Sequence, residues 1–251
     1  MKLENIVVNT LVFDEYLKKG VPQHELISKI STLGIRKVEV RKEYIKNEEE
    51  FGLIQEAAEN FGMELFYSIP ELLFEDKMIE NCKMKALFEE AKEIGASYIK
   101  MTGGYAKEIT QKNVDFINRL IEEYEIKGFT VENDQVATYS TGDKLLQLVR
   151  ILKNKGADVS ITFDIGNFVY VQEDPLENAK KMSDMVSVIH LKDVKQNSLE
   201  TTLLGHGDIP IQSVLNCLPK DLNVVIEYPC GIHPLNVLKQ ELNKLLDKER
   251  V

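Results

Sequence analysis

Four residues of this 251-residue chain have the types needed for metal-assisted chemistry and occupy matching places: Glu132, Asp164, His190 and Glu227. Each closes an apolar run: Phe129-Thr-Val-Glu132, Ile161-Thr-Phe-Asp164, Met185-Val-Ser-Val-Ile-His190 and Val224-Val-Ile-Glu227. Three carboxylates sharing a buried face repel one another, and leaving them unpaired costs several kcal/mol. One divalent cation removes that cost, and with no thiolate in the set the ligands favour Mn²⁺ or Mg²⁺, with Co²⁺ or Zn²⁺ compatible. The alternative is a structural ion network in which Lys100, Lys192 and Arg41 supply the positive charge.

Positioning such a set requires strands that all end on one face. Side chains alternate along a strand, so in Met185–Lys195 the residues His190 and Lys192 share a face with Val186 and Val188, while Asp193 points the other way. The chain as a whole repeats helix, glycine, strand. Gly34, Gly62, Gly95, Gly128 and Gly156, separated by 28, 33, 33 and 28 residues, each stand between a helical and a strand pattern. A glycine just past a helix end takes the left-handed conformation that closes it. Helical periodicity covers Pro22–Leu33, Asn47–Phe61, Asn81–Ile94, Asn113–Ile126 and Thr141–Lys155, and further helices are predicted at Pro175–Met182, Pro210–Leu218 and Pro234–Lys248. The predicted strands are Asn5–Asn9, Ile35–Val40, Met63–Ile69, Ser97–Met101, Phe129–Asn133, Val159–Phe163, Met185–Leu191 and Val224–Tyr228.

Eight strand–helix units in this length imply an α/β fold, a single (β/α)8 TIM barrel over residues 1–251. A doubly wound sheet would bring a glycine-rich phosphate loop after an early strand, and neither GxGxxG nor GxxxxGK[ST] is present there. In a barrel the reactive groups gather at the C-terminal strand ends. That is where this sequence turns polar: Asn9, Glu39, Arg41, Ser68, Lys100, Thr102, Glu132, Asn133, Asp164, Asn167, His190, Lys192 and Glu227.

The bulk numbers narrow the partners. A net charge of −10 argues against nucleic acid. No apolar run approaches the roughly 18–20 residues of a membrane span, and the N-terminus lacks a signal-peptide pattern. Cys82, Cys217 and Cys230 form no CxxC pair and suit a reducing cytoplasm. The expected partner is a small molecule; self-association into a homo-oligomer is compatible with the sequence and not specified by it.

Six segments in this order, GIRKVEVR (34–41), TVEND (130–134), TFDIGN (162–167), VIHLKD (188–193), LGHGDIP (204–210) and VIEYP (225–229), resemble the xylose isomerase-like TIM-barrel superfamily of sugar and sugar-phosphate isomerases and epimerases. The resemblance runs from the first strand to the last. It implies a carbohydrate substrate and one divalent metal held by Glu132, Asp164, His190 and Glu227, the two glutamates also serving as acid and base on opposite faces of the sugar. Epimerases of the family often carry a His three residues after the sixth-strand Asp; this chain has Asn167, an amide that does not titrate near neutrality. Endonuclease IV-type members use several His ligands for a zinc cluster, which the four histidines here, with His24 on the first helix, do not supply.

The expected activity is a divalent-metal-dependent isomerase or epimerase of a sugar, sugar phosphate or related polyol, acting by proton transfer through a metal-stabilised enediolate. A dehydratase on the same scaffold and a non-catalytic sugar-binding barrel are the alternatives. Asn167, Lys192 and Lys100 are candidates to touch substrate, the lysines equally readable as partners of neighbouring carboxylates. Glu39 is either a structural partner of Arg41 or a fourth substrate contact. His190 needs an acceptor behind it to fix its ring, and the sequence does not identify one. Gly205-His-Gly207 is read as a tight turn rather than a phosphate cradle, Phe168 and Tyr170 as packing residues, and the tract Asn47–Glu50 as the exposed start of a helix.

Overall fold

A computed structural model describes residues 1–246. Its strands, in chain order, are β1 (Ile6–Asn9), β2 (Lys37–Arg41), β3 (Glu64–Met78), β4 (Ala96–Ala106), β5 (Gly128–Glu132), β6 (Ser160–Asp164), β7 (Val186–Leu191), β8 (Asp193–Lys195), β9 (Glu200–Thr202) and β10 (Asn223–Ile226). Eight of them close a barrel in the order β1-β10-β7-β6-β5-β4-β3-β2, and β8 and β9 form a separate two-stranded ribbon. All barrel pairings are parallel. The helices are α1 (Asp14–Lys18), α2 (Gln23–Ser31), α3 (Glu49–Phe61), α4 (Asn81–Glu93), α5 (Gln111–Glu123), α6 (Gly142–Asn154), α7 (Asn167–Tyr170), α8 (Pro175–Met182), α9 (Ile211–Cys217) and α10 (Pro234–Leu246). The expected (β/α)8 barrel is thus the observed fold. Of the helix predicted over Pro234–Lys248, residues 247 and 248 lie outside the described residues.

The barrel strands are apolar on both faces because both are covered. Outward residues such as Val8, Tyr67, Ile99, Val131, Ile161 and Leu191 pack under the helices in one large core. Inward, Val7, Phe66, Val188 and Val225 form a small second cluster that fills the lower barrel. Above it the inward positions become polar, so the barrel is a filled plug with a charged upper layer.

Most strand ends fall within two residues of the sequence expectation; β3 and β4 do not. They continue past the barrel rim as a two-stranded arm, after a register shift between Ile69 and Leu72. Pro70, which has no N–H for the ladder, falls in that gap. In the arm Gly104 has φ +73, and a Cβ there would stand 2.0 Å from the Phe74 carbonyl oxygen, so only glycine fits. Gly34, Gly62, Gly95 and Gly156 have the expected positive φ. Gly128 is the exception: Glu125 takes the left-handed position after α5 (φ +53). Gly128 lies instead inside β5, where a Cβ would meet the Tyr98 ring at 2.6 Å. Pro175 occupies the first turn of α8 behind the cap Asp174, whereas Pro210 is the cap residue of α9 rather than in its first turn. Asn47–Glu50 is not wholly a solvated start, for Glu50 is buried and accepts from the Gln23 and Lys46 amides. The three cysteines are free. Among the described residues no helix is long and apolar enough to cross a membrane.

Candidate metal centre and active site

The upper layer is built by register. Asp164 pairs with His190 across β6–β7, and His190 with Val225 across β7–β10, which brings Glu227 to the same height two residues on. Glu132 closes β5 beside Thr162. Asn133 makes the local junction, its amide donating to the Asp164 carbonyl and accepting from the Asp164 N–H, both at 2.9 Å, so one side chain continues the β5–β6 ladder. Asp164 then turns Oδ1 to the Asn167 amide at 2.9 Å and Oδ2 into the barrel mouth.

Glu132, Asp164, His190 and Glu227 converge as expected. One ligand atom from each lies within 4.8 Å of the others, and all four residues are buried. His190 faces the cluster through Nδ1, 2.8 Å from Glu132 Oε1 and 3.2 Å from Glu227 Oε2. Lys100 Nζ lies 2.6 Å from Glu132 Oε2, Lys192 Nζ 2.6 Å from Asp164 Oδ2 and 3.1 Å from Glu227 Oε2, and Arg41 Nη1 2.5 Å from Glu227 Oε1. The cations of the ion-network alternative are therefore all in place. Even so, Glu132 Oε1, Asp164 Oδ2 and His190 Nδ1 are buried with no aligned hydrogen bond, although each has an oppositely charged group within ion-pair distance. These atoms, each with an ion-pair partner, lie together in one buried set of oxygen and imidazole type, a donor chemistry that fits a divalent ion.

The protonation states follow from these neighbours. Burial pushes Glu132 up, but Lys100 and His190 outweigh it and hold the carboxyl down at about 2. Burial likewise opposes ionised Glu227, and Lys192, His190 and Arg41 overcome it, leaving its pKa well below the carboxylate range. Asp164 differs: burial raises it, Lys192 pulls it down, and Glu227 and Glu132 raise it again, to about 7. Burial disfavours the His190 imidazolium, yet Glu39, Glu227 and Glu132 together lift its pKa well above the ordinary value. A metal at this point would displace the proton that these carboxylates keep on His190 and would neutralise the negative charge around it.

The remaining predicted residues fall into two groups. Lys100 and Lys192 are in the mouth, bonded to carboxylates. Glu39 lies beneath His190, its Oε1 accepting from Asn9 at 2.6 Å and its Oε2 3.3 Å from His190 Nε2. It does not pair with Arg41, which turns to Glu227 and Glu43. Asn167 is braced: its amide donates to the Asn133 carbonyl at 2.8 Å, and its carbonyl accepts from Gln135 at 3.0 Å. Gln135 was not singled out from the sequence; its signal was its place two residues after Asn133, just beyond a strand end. The 205–207 segment is a structural turn, because the Gly205 and Gly207 N–H groups donate to Asp193 Oδ2 at 2.9 and 3.0 Å. Phe168 packs on Phe163, and the Tyr170 hydroxyl bonds Thr201.

The family profile for the xylose isomerase-like TIM barrel matches residues 27–248, in agreement with the closed eight-stranded parallel barrel. The chain belongs to that family. No curated protein matches the sequence. Among solved structures, the IOLI protein with a bound zinc atom is similar at 15% identity and TM-score 0.71, over 97% of this chain and 98% of that one. A D-psicose 3-epimerase determined with D-fructose shares 15% identity at TM-score 0.66, covering 98% of each chain. The probable 3-DHS dehydratase AsbF of Bacillus anthracis shares 14% at 0.68, over 96% of this chain and 98% of that one. At these identities the likeness is one of fold, and members of the family with this fold are mostly enzymes.

Proposed function

We propose that the protein is a divalent-metal-dependent isomerase or epimerase of a sugar, sugar phosphate or related polyol. The observation that carries this is the convergence of Glu132, Asp164, His190 and Glu227, all buried, with one ligand atom from each within 4.8 Å of the others. These four residues would hold the ion, of which Mn²⁺ or Mg²⁺ best suits the oxygen-rich set. When bound, the ion supplies electrophilic polarisation of a carbonyl and a neighbouring hydroxyl oxygen.

The chain's own residues supply the rest. Glu132 and Glu227 stay ionised, so each can accept a proton from a carbon beside a carbonyl. They approach from separate strands on either side of Asp164 and His190, which suits removal on one face and return on the other. Return to the same carbon is epimerisation, and return to the neighbouring carbon is aldose–ketose isomerisation. Loss of a β-hydroxyl instead would be dehydration. Lys100 and Lys192 hold the carboxylates in place and carry N–H donors that can turn to substrate oxygens.

The test is metal content of the purified protein together with solvent-deuterium exchange into ketoses. Near one equivalent of metal, lost in His190→Ala and Asp164→Ala, with exchange abolished in Glu132→Gln, is the expected result. No metal after supplementation, and equal exchange in wild type and Glu132→Gln, would leave only the ion network and favour a binding barrel.

A further inference from the structure

Glu39 is a buried carboxylate that the proposed chemistry does not use. It is 1% exposed, below the metal-binding layer and among inward-facing barrel residues. The space beside it, lined by Phe66, Tyr98, Lys100, Thr130, Thr162 and Val188, amounts to about 10 Å³, room for a single water at most. A carboxylate that water cannot solvate is costly unless its oxygens are taken up. Here both are: Asn9 Nδ2 donates to Oε1 at 2.6 Å, and Oε2 lies 3.3 Å from His190 Nε2.

The ring of His190 is thus held between two sides. Nε2 looks down to Glu39, and Nδ1 looks up to Glu132 and Glu227. A neutral imidazole carries one proton, and its two nitrogens take opposite roles. A carboxylate at Nε2 can only accept, so it draws the proton to Nε2 and leaves the Nδ1 lone pair facing the other three ligands.

Resting on the metal site proposed above, we infer that Glu39 is a positioning residue that fixes the His190 tautomer and makes Nδ1 the metal-binding nitrogen, with Asn9 fixing Glu39 in turn. The arrangement spans β1, β2 and β7 and fills the role of the acceptor behind a metal-bound His.

Two measurements test it. In the Zn²⁺-loaded wild type, ¹⁵N–¹H correlation on the His190 ring should place the remaining proton on Nε2; a proton on Nδ1 would overturn the inference with no variant needed. In Co²⁺ titrations followed by the visible spectrum, Glu39→Ala should bind about 10–100-fold more weakly than wild type, the range for loss of such a partner. Glu39→Gln, whose carbonyl still accepts from Nε2–H, should recover most of that loss. Asn9→Ala, a gentler change, should weaken binding less than Glu39→Ala. Unchanged Co²⁺ affinity and spectrum in Glu39→Ala and Asn9→Ala would overturn the role of Glu39. Failure of the wild type itself to bind Co²⁺ or Zn²⁺ would instead remove the metal site, and with it any metal-binding role for Glu39.

Discussion

Lys192 Nζ stands 2.6 Å from Asp164 Oδ2, so an ammonium already occupies the side of the carboxylate that a metal would claim. Both groups are almost wholly buried, and Lys192 also reaches Glu227 at 3.1 Å. Removing one partner of a buried pair strands the other charge at a cost of about 3–5 kcal/mol. Lys192→Met should therefore lose stability of that order in EDTA. It should regain more than wild type on adding Mn²⁺, since the ion then neutralises Asp164 and Glu227. Urea denaturation of both proteins with and without Mn²⁺ checks this, and an equal Mn²⁺ increment in the two would refute it.

Gly166 keeps Lys192 where it is. A Cβ on Gly166 would meet Lys192 Cγ at 2.4 Å and Val194 Cγ2 at 3.1 Å. Gly166→Ala should displace the lysine stem and cost roughly 1–3 kcal/mol, the usual effect of overpacking. Combined with Lys192→Ala, which removes Cγ, the penalty should shrink. A double-mutant cycle in urea reads the coupling, and additive losses would show that the clash lies elsewhere.

Asp193, next to Lys192, faces away from the mouth. Its carboxylate accepts the N–H groups of Val194, Gly205, Gly207 and Ile209. Asp193→Ala leaves the buried Val194 and Ile209 donors unsatisfied at roughly 1–3 kcal/mol each. Thermal unfolding should show a large loss, while metal content stays near that of wild type if the protein remains folded. Loss of the metal with stability intact would place Asp193 in the site instead.

Tyr67 gives a pH signature. Its hydroxyl donates to Glu90 at 2.9 Å, and burial first, then the Glu90 charge, raises its pKa above the phenol range. In the unfolded chain Tyr ionises near pH 10, about where the folded chain still keeps its proton. Folded protein thus holds more protons above that pH, and stability falls as pH rises, by up to about 1.4 kcal/mol per pH unit. The stability difference between wild type and Tyr67→Phe should be constant below about pH 9 and shrink above about pH 10. Denaturation curves that stay parallel to about pH 11 would refute the assignment.

The strand-end set and the barrel were legible because each rests on a local period. Alternation along β5, β6 and β7 dictates which side chains point inward, and the turn to polar residues marks the end of each strand, so Glu132, Asp164, His190 and Glu227 could be read from their own segments. The lengths of β3 and β4 were not legible, since Pro70 signals a break and only pairing between the two strands carries them past it. Partner choice was beyond reach for a different reason. Arg41 bonds Glu227 across 186 residues of chain, and Glu39 meets His190 across 151. Barrel closure, which sets β1 beside both β2 and β10 and β10 beside β7, brings these groups together. The sequence by itself determined which groups enter the barrel; only the closed structure decided that Glu39 meets the histidine and Arg41 a glutamate, because strand order and shear act between segments that share no local pattern.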